Sequence, residues 1–323
     1  MDLAKDFVFQ PLPPIPENDD QSDLKAAGFT AASVAPAAVA AAPVNPLGRL
    51  ADLQGKWQGT GFNVIWRPMF DPRIRRFLEL NVTSETLEFE PVPGPIANRG
   101  LLQKDIVMHG LSYLQQISDK NLGAGLHFEP GIWAHVPSTS APKEPVSIVR
   151  MATIPHGTAI VAQGSSTAAD ETTGPDIPKV SIIPFTIGDP KDLADFPESN
   201  LKTASKHRTA GAGLTGVTQA MMDDPNSVLR EAIVHQNITS TIRLQVTTAH
   251  KPIIGGGIAN TAFLAGSDAF DANAVTATVT STFWLEKLDH EERASQLQYT
   301  QTVLLNFDEV SWPHITVATL RRV

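Results

Sequence analysis

From Leu47 onward, apolar and polar residues alternate in short runs rich in Val, Ile, Thr and Phe, and Gly, Pro and Asn punctuate them. A period of two marks a strand with one buried face. The runs predict strands over 55–66, 76–90, 105–118, 124–136, 146–154, 157–164, 236–248, 275–288, 294–306 and 312–322. These are about ten long strands in simple succession, and a sheet of that kind protects its edges by closing on itself. The chain reads as all-β, an antiparallel up-and-down barrel over 47–323.

Three segments break the alternation. Residues 1–46 are rich in Pro and Ala, and "AAGFTAASVAPAAVAAAPVNP" has prolines and, Phe29 apart, no large side chains to hold a helix on a surface. They predict an extended linker or wrapping arm in which Phe7, Val8 and Phe9 are the residues able to dock. Residues 165–235 are first rich in Pro, Gly and Asp, then offer one helix. Asp224 or Asn226 can cap it, and Val228, Leu229, Ile233 and Val234 form its apolar stripe. Too few large apolar residues are present for an independent core, so this reads as a partly helical insertion in the barrel, with a lid as one use for it. "GGGIAN" at 255–260 lacks the Lys-Ser/Thr of a phosphate loop and predicts a hairpin.

Composition narrows the chemistry. The net charge of −9 comes with no basic block, which leaves nucleic acid without an electrostatic footing. The absence of cysteine excludes disulfides, thiolate zinc sites, iron–sulfur clusters and thiolate-ligated heme. No apolar run reaches the length of a membrane span, and the first twenty residues lack the basic-then-apolar order of a signal peptide. The expectation is a cytoplasmic protein with no membrane partner.

Four stretches carry a chemical signal. In "GKWQGTG", Gly55, Trp57, Gly59 and Gly61 share one face of a strand; glycine removes bulk there, and Trp57 would close one end of a barrel. In "LHFEPGIWAHV", His127 and Glu129 share a face, so Glu129 can accept a hydrogen bond from His127 and set its tautomer. A wall hydrogen bond and a metal site of His127, Glu129 and His135 are the two readings of that stretch. His156 lies in a turn between apolar strands, either solvated or hanging over a pocket mouth. His314 heads the closing run "PHITVATLRRV", whose two faces are both largely apolar, so it is either a wall residue or a metal or heme ligand.

Together these stretches resemble the nitrobindin family, heme-binding barrels of the calycin, lipocalin-like kind also grouped with fatty-acid-binding proteins. "GKWQGTG" fits its Gly-x-Trp-x-Gly-x-Gly signature; Tyr113, Gln115, His127, Glu129 and Gly131 match its paired central strands; and "PHITVATLRRV" resembles its closing strand. The resemblance spans about 47–163 and 236–323. It implies heme b with His314 as the axial ligand to iron, and Trp57, Gly59, Gly61, Met69 and His127 around the cofactor. Met69 is carried over from the family's Tyr-Pro-Thr, which here reads "WRPM". The family's Gly-Phe-x-Arg becomes Gly131-Ile132-Trp133-Ala134, so its arginine is missing, and the arm and insertion have no counterpart.

What the resemblance implies is nitric oxide binding, or isomerisation of peroxynitrite to nitrate, at a His-ligated iron. A heme-dependent peroxidase or oxygenase needs a distal acid–base group, for which His156 is the catalytic candidate and His109 or His135 the substitutes. The third reading is a heme-free carrier of a lipid or other apolar small molecule. Outward apolar faces and the arm also leave room for a homodimer.

Overall fold

The computed structural model describes residues 45–69, 73–154, 156–169, 174–249, 256–260, 275–289 and 291–323. Nearly all of the arm 1–46 lies outside them. In chain order the strands are β1 (Gly55–Pro68), β2 (Arg76–Pro91), β3 (Ile96–Asn98), β4 (Ile106–Asp119), β5 (Gly125–Val136), β6 (Ser147–Ile154), β7 (Thr158–Ala169), β8 (Phe185–Thr186), β9 (Ile238–Thr247), β10 (Gly257–Asn260), β11 (Val275–Leu288), β12 (Gln296–Phe307) and β13 (Val310–Arg322). Ten of them follow one another around a ring, β1-β2-β4-β5-β6-β7-β9-β11-β12-β13, and β13 pairs back onto β1. Every pairing in the ring is antiparallel. The sheet is the closed ten-stranded barrel that the alternation predicts.

Closure is tight where β1 meets β13, in a register running from Trp57 opposite Arg322 to Ile65 opposite His314. A Cβ on Gly59 would sit 2.1 Å from the Thr319 carbonyl oxygen, and one on Gly61 2.0 Å from that of Val317. No side chain fits at that approach. The glycines serve the join between first and last strands.

Alternation divides the wall cleanly. Trp57, Leu87, Phe89, Leu111, Tyr113, Trp133, Phe283, Tyr299, Ala318 and Leu320 face a common interior core. A 3-10 helix, Gly48–Leu53, adds Leu50 and Leu53 to this core at the end where β1 begins, and the Trp57 indole donates to the Leu53 carbonyl at 2.7 Å. Arg322 lies over the Trp57 ring at 4.1 Å, which fastens the chain's last strand to this plug.

The opposite faces of β1, β2 and β13 are apolar too, because they are covered. Phe62, Val64, Trp66, Leu78, Leu80, Ile315 and Val317 form a second core with Ile177, Ile182, Met222 and Leu229 of the insertion, and Trp312, which has the strand parity of His314 and Ala318, joins it near the start of β13. Its helices are α1 (Gln219–Asp223) and α2 (Ser227–Ile233), the second preceded by Asn226 at the cap. Buried outward polar groups of β12 hold α2 down: Thr300 donates to Asn226 Oδ1 at 2.6 Å and Gln298 to the Leu229 carbonyl at 2.9 Å. An aromatic group of Trp66, Phe196, Phe307 and Trp312 fills the remaining space. Most of the insertion's large apolar side chains cover the outer wall, while Phe196 stacks on Trp312 and the Gly213 and Thr215 carbonyls accept from Asn121 of the β4–β5 turn. The segment leaves the ring after β7 and rejoins it at β9. β10, from "GGGIAN", pairs with β7 as a short added strand.

Trp312 belongs to both the wall and the covering layer. Trp312→Ala is expected to cost about 3–5 kcal/mol, read as a lowered denaturation midpoint in urea. A loss below about 1 kcal/mol would mean that the layer contributes little to the fold.

Candidate functional site

Trp57 and His314 lie at opposite ends of the lumen. Their positions on the β1–β13 ladder are separated by eight residues of β1, about 26 Å at the strand rise. The plug end is apolar, and His135 rests against Gly48 there, with His109 paired opposite it. The middle and far end are polar.

At the centre, Arg150 of β6 and Glu129 of β5 form a fully buried ion pair. The guanidinium also donates to Tyr113 Oη at 2.9 Å, Ser281 Oγ at 2.9 Å and Gln301 Oε1 at 2.6 Å. Tyr113 donates to the same carboxylate. Burial alone would raise the Glu129 carboxyl, but Arg150, His127 and Tyr113 hold it down at about 2. Burial opposes charge on Arg150, and Glu129 and Tyr113 more than restore it, so it titrates above its usual range. The pair is charged at any physiological pH.

Glu129 also reaches toward the far end. Its second oxygen lies 3.0 Å from His127 Nε2, the pair that their spacing suggests. The rings of His127 and His156 stack with centroids 5.3 Å apart. Burial and the nearby His127 lower the His156 imidazole. Beside them on β2, Glu85 accepts from Thr83 at 2.6 Å and from Tyr299 at 2.5 Å, and Gln115 donates to the Tyr299 oxygen at 2.9 Å. Burial raises the Glu85 carboxyl to about 7, against the lowering pull of those hydrogen bonds and of His127.

His314 points into the lumen. Ala318 and Leu320 share its face and belong to the interior core, whereas Ile315 and Val317 belong to the outer one. Its Nε2 lies 2.8 Å from Asn63 Oδ1, which also accepts from Thr316 at 2.9 Å. Asn63 donates to Asn81 at 3.1 Å, and Asn81 to Asp119 at 2.8 Å. Burial, then His127 and His156, push the His314 imidazole down to about 3, so the ring is neutral.

The structure thus brings His127, His156 and His314 to one region of the lumen. It does not bring the remaining candidates there. Trp57 is built into the plug, Gly59 and Gly61 are pressed against the β13 backbone, and Met69 follows the end of β1, exposed, with its amide bonded to the Arg75 carbonyl at 2.8 Å. His135 sits at the plug, away from His127. Among the described residues no group of three or more His, Asp or Glu side chains could hold a metal ion. No helix among them is long and apolar enough to cross a membrane.

Sequence reasoning missed Arg150, Glu85, Asn63, Asn81 and Asp119. The only signal for Arg150 was a lone cation in the apolar run "VSIVRMATI", and parity places it opposite Trp133 on the inner face.

No family model matches the chain, and no curated protein matches it. Among solved structures, the crystal structure of Rv2717c from M. tuberculosis is a distant neighbour with a TM-score of 0.41 and 15% sequence identity, covering 87% of this chain and 98% of that chain.

Glu85 gives the site a measurable pH response. An acid raised from 4.5 to about 7 is held protonated by the fold. Its contribution is fully present below about pH 4.5 and is lost as pH rises through about 7. Between pH 5 and 8, Glu85→Gln should therefore lose roughly 2–3 kcal/mol less stability than the parent, measured by denaturant unfolding at the two pH values. Equal losses in both proteins would show that Glu85 is ionised in the fold.

Proposed function

We propose that the barrel binds heme b through His314 and that the cofactor carries its reaction in the polar half of the lumen. The observation that supports this reading is the state of His314: an inward-facing neutral imidazole, one of whose ring nitrogens is held by the Asn63 carbonyl. A metal-binding histidine needs a free electron pair on one nitrogen and an acceptor at the other to fix the ring. The donor set therefore fits the group that the family resemblance implies. When bound through a single histidine, heme supplies an iron with one further position open to a small ligand.

The chain's own residues define the rest. Asn63 and Thr316 hold the imidazole. The buried Arg150–Glu129 pair keeps a fixed charge distribution beneath the site, and Glu129 orients His127. Nitric oxide or peroxynitrite is the small ligand that the resemblance favours.

One observation favours the peroxidase or oxygenase reading. His127, anchored by Glu129 and stacked on His156, is an oriented imidazole facing the region of His314, and peroxide chemistry requires such a group to move a proton. A heme-free carrier of a lipid or other apolar small molecule has less support, because the polar group of Arg150, Glu129, Tyr113 and Gln301 crosses the middle of the lumen.

The test is an absorption spectrum after hemin is added to the protein and to His314→Ala. The expected result is a stoichiometric Soret band in the parent and its loss in a variant that keeps its β-sheet circular dichroism. A band of parental position and intensity in the variant would remove His314 from the role, and no band in either protein would end the heme reading.

A further inference from the structure

Four side chains on four strands form one hydrogen-bonded row from the β4–β5 turn to His314. Asp119 closes that turn, with Oδ1 accepting from the backbone amides of Asn121 and Leu122, each at 2.7 Å. Its Oδ2 faces Asn81 at 2.8 Å, Asn81 faces Asn63 at 3.1 Å, and Asn63 faces His314 Nε2 at 2.8 Å. Asn63 and Asn81 are register partners on β1 and β2, and Asp119, the last residue of β4, is the partner of Thr83 on β2. Asn63, Asn81 and Asp119 are all nearly inaccessible to solvent.

The row has a direction. Two backbone N–H groups donate to Oδ1 of Asp119, and its carboxylate Oδ2, which can only accept, faces Asn81. Asn81 must therefore turn its amide nitrogen toward Asp119 and its oxygen toward Asn63. Asn63 then donates through its nitrogen and presents its oxygen to His314. A carbonyl oxygen only accepts, so the facing ring nitrogen must carry the proton. In a neutral ring the electron pair is then on Nδ1.

We infer that Asp119, acting through Asn81 and Asn63, is a positioning residue that sets the tautomer of His314, protonated at Nε2 and offering Nδ1 as the donor atom. The functional consequence rests on His314 being the group that meets a metal. The tautomer itself does not depend on that reading.

Replacing Asp119 by its isosteric amide, Asp119→Asn, should reverse the row. The new amide must keep its oxygen on the two turn N–H groups, so its nitrogen faces Asn81. Asn81 turns over to accept, Asn63 turns over after it, and an N–H now faces His314 Nε2. That nitrogen becomes an acceptor and the ring proton moves to Nδ1, with no change in the charge of the ring.

The experiment is a long-range proton–nitrogen correlation spectrum of the histidine side chains in the heme-free protein at pH 8. The His314 signals are assigned by their loss in His314→Gln. The expected result is the Nε2–H tautomer in the parent, Nδ1–H in Asp119→Asn, and Nε2–H again in Asp119→Asn combined with Asn63→Asp, where a carboxylate faces the ring. An Nδ1–H parent, or an Asp119→Asn variant that keeps Nε2–H, overturns the inference. Should the turn not tolerate Asp119→Asn, Asn81→Leu cuts the row at its middle. A mixture of tautomers is then expected, and a pure Nε2–H form counts against the relay. Adding hemin to the same samples keeps the two claims apart. Absence of a Soret band with the tautomer switch intact removes the heme reading alone, and a band without the switch removes the relay alone.

Discussion

The pairing of β1 with β13 is the constraint on which the rest depends. It joins residues more than 250 positions apart, as the bond of His314 to Asn63 records, and it makes an open meander into a ring with no free edge. It also turns His314 inward, because the register that puts Gly61 against Ala318 puts Asn63 against Thr316 and Ile65 against His314. A slip of one residue would send the imidazole into the outer core and Ile315 into the lumen. The bare faces of Gly59 and Gly61 allow the approach that fixes this register.

Inside the ring, the second organising element is a charge pair far from water. Burying Arg150 and Glu129 is costly, and such a pair is often no more stabilising than apolar residues of the same volume. Its value here lies in what it orders. Arg150 draws Tyr113, Ser281 and Gln301 from three other strands onto one group, and Glu129 extends that order to His127. Loss of either partner would leave an uncompensated charge in the middle of the barrel, at a cost of about 3–5 kcal/mol.

Much of this was legible in the residues. The ten long strands match the alternating runs to within about two or three residues at most of their ends, because barrel strands carry their period in their own sequence. The exception is β7, which continues to Ala169 although its apolar run ends near Gly164. The His127–Glu129 bond was also readable, since both residues lie on one strand two positions apart. The face of His314 was not. Ile315 and Val317 look as buried as Ala318 and Leu320, and only the insertion, packed on the outside, explains why both faces are apolar. The Asp119–Asn81–Asn63 row was invisible for a different reason. Its members are ordinary polar residues whose meaning arises from strand register, and register is a property of pairs of strands.

The covering layer makes the barrel mechanically lopsided. Strands β1 and β13 lie between two apolar cores, whereas β5 and β7 turn Phe128 and Val161 outward to water. His314 is carried by the clamped side, and His127 and the His156 turn by a side that has a single layer among the described residues. The imidazole of β13 therefore has packed side chains behind both faces of its strand, and the two stacked rings stand on strands whose outer side chains meet water.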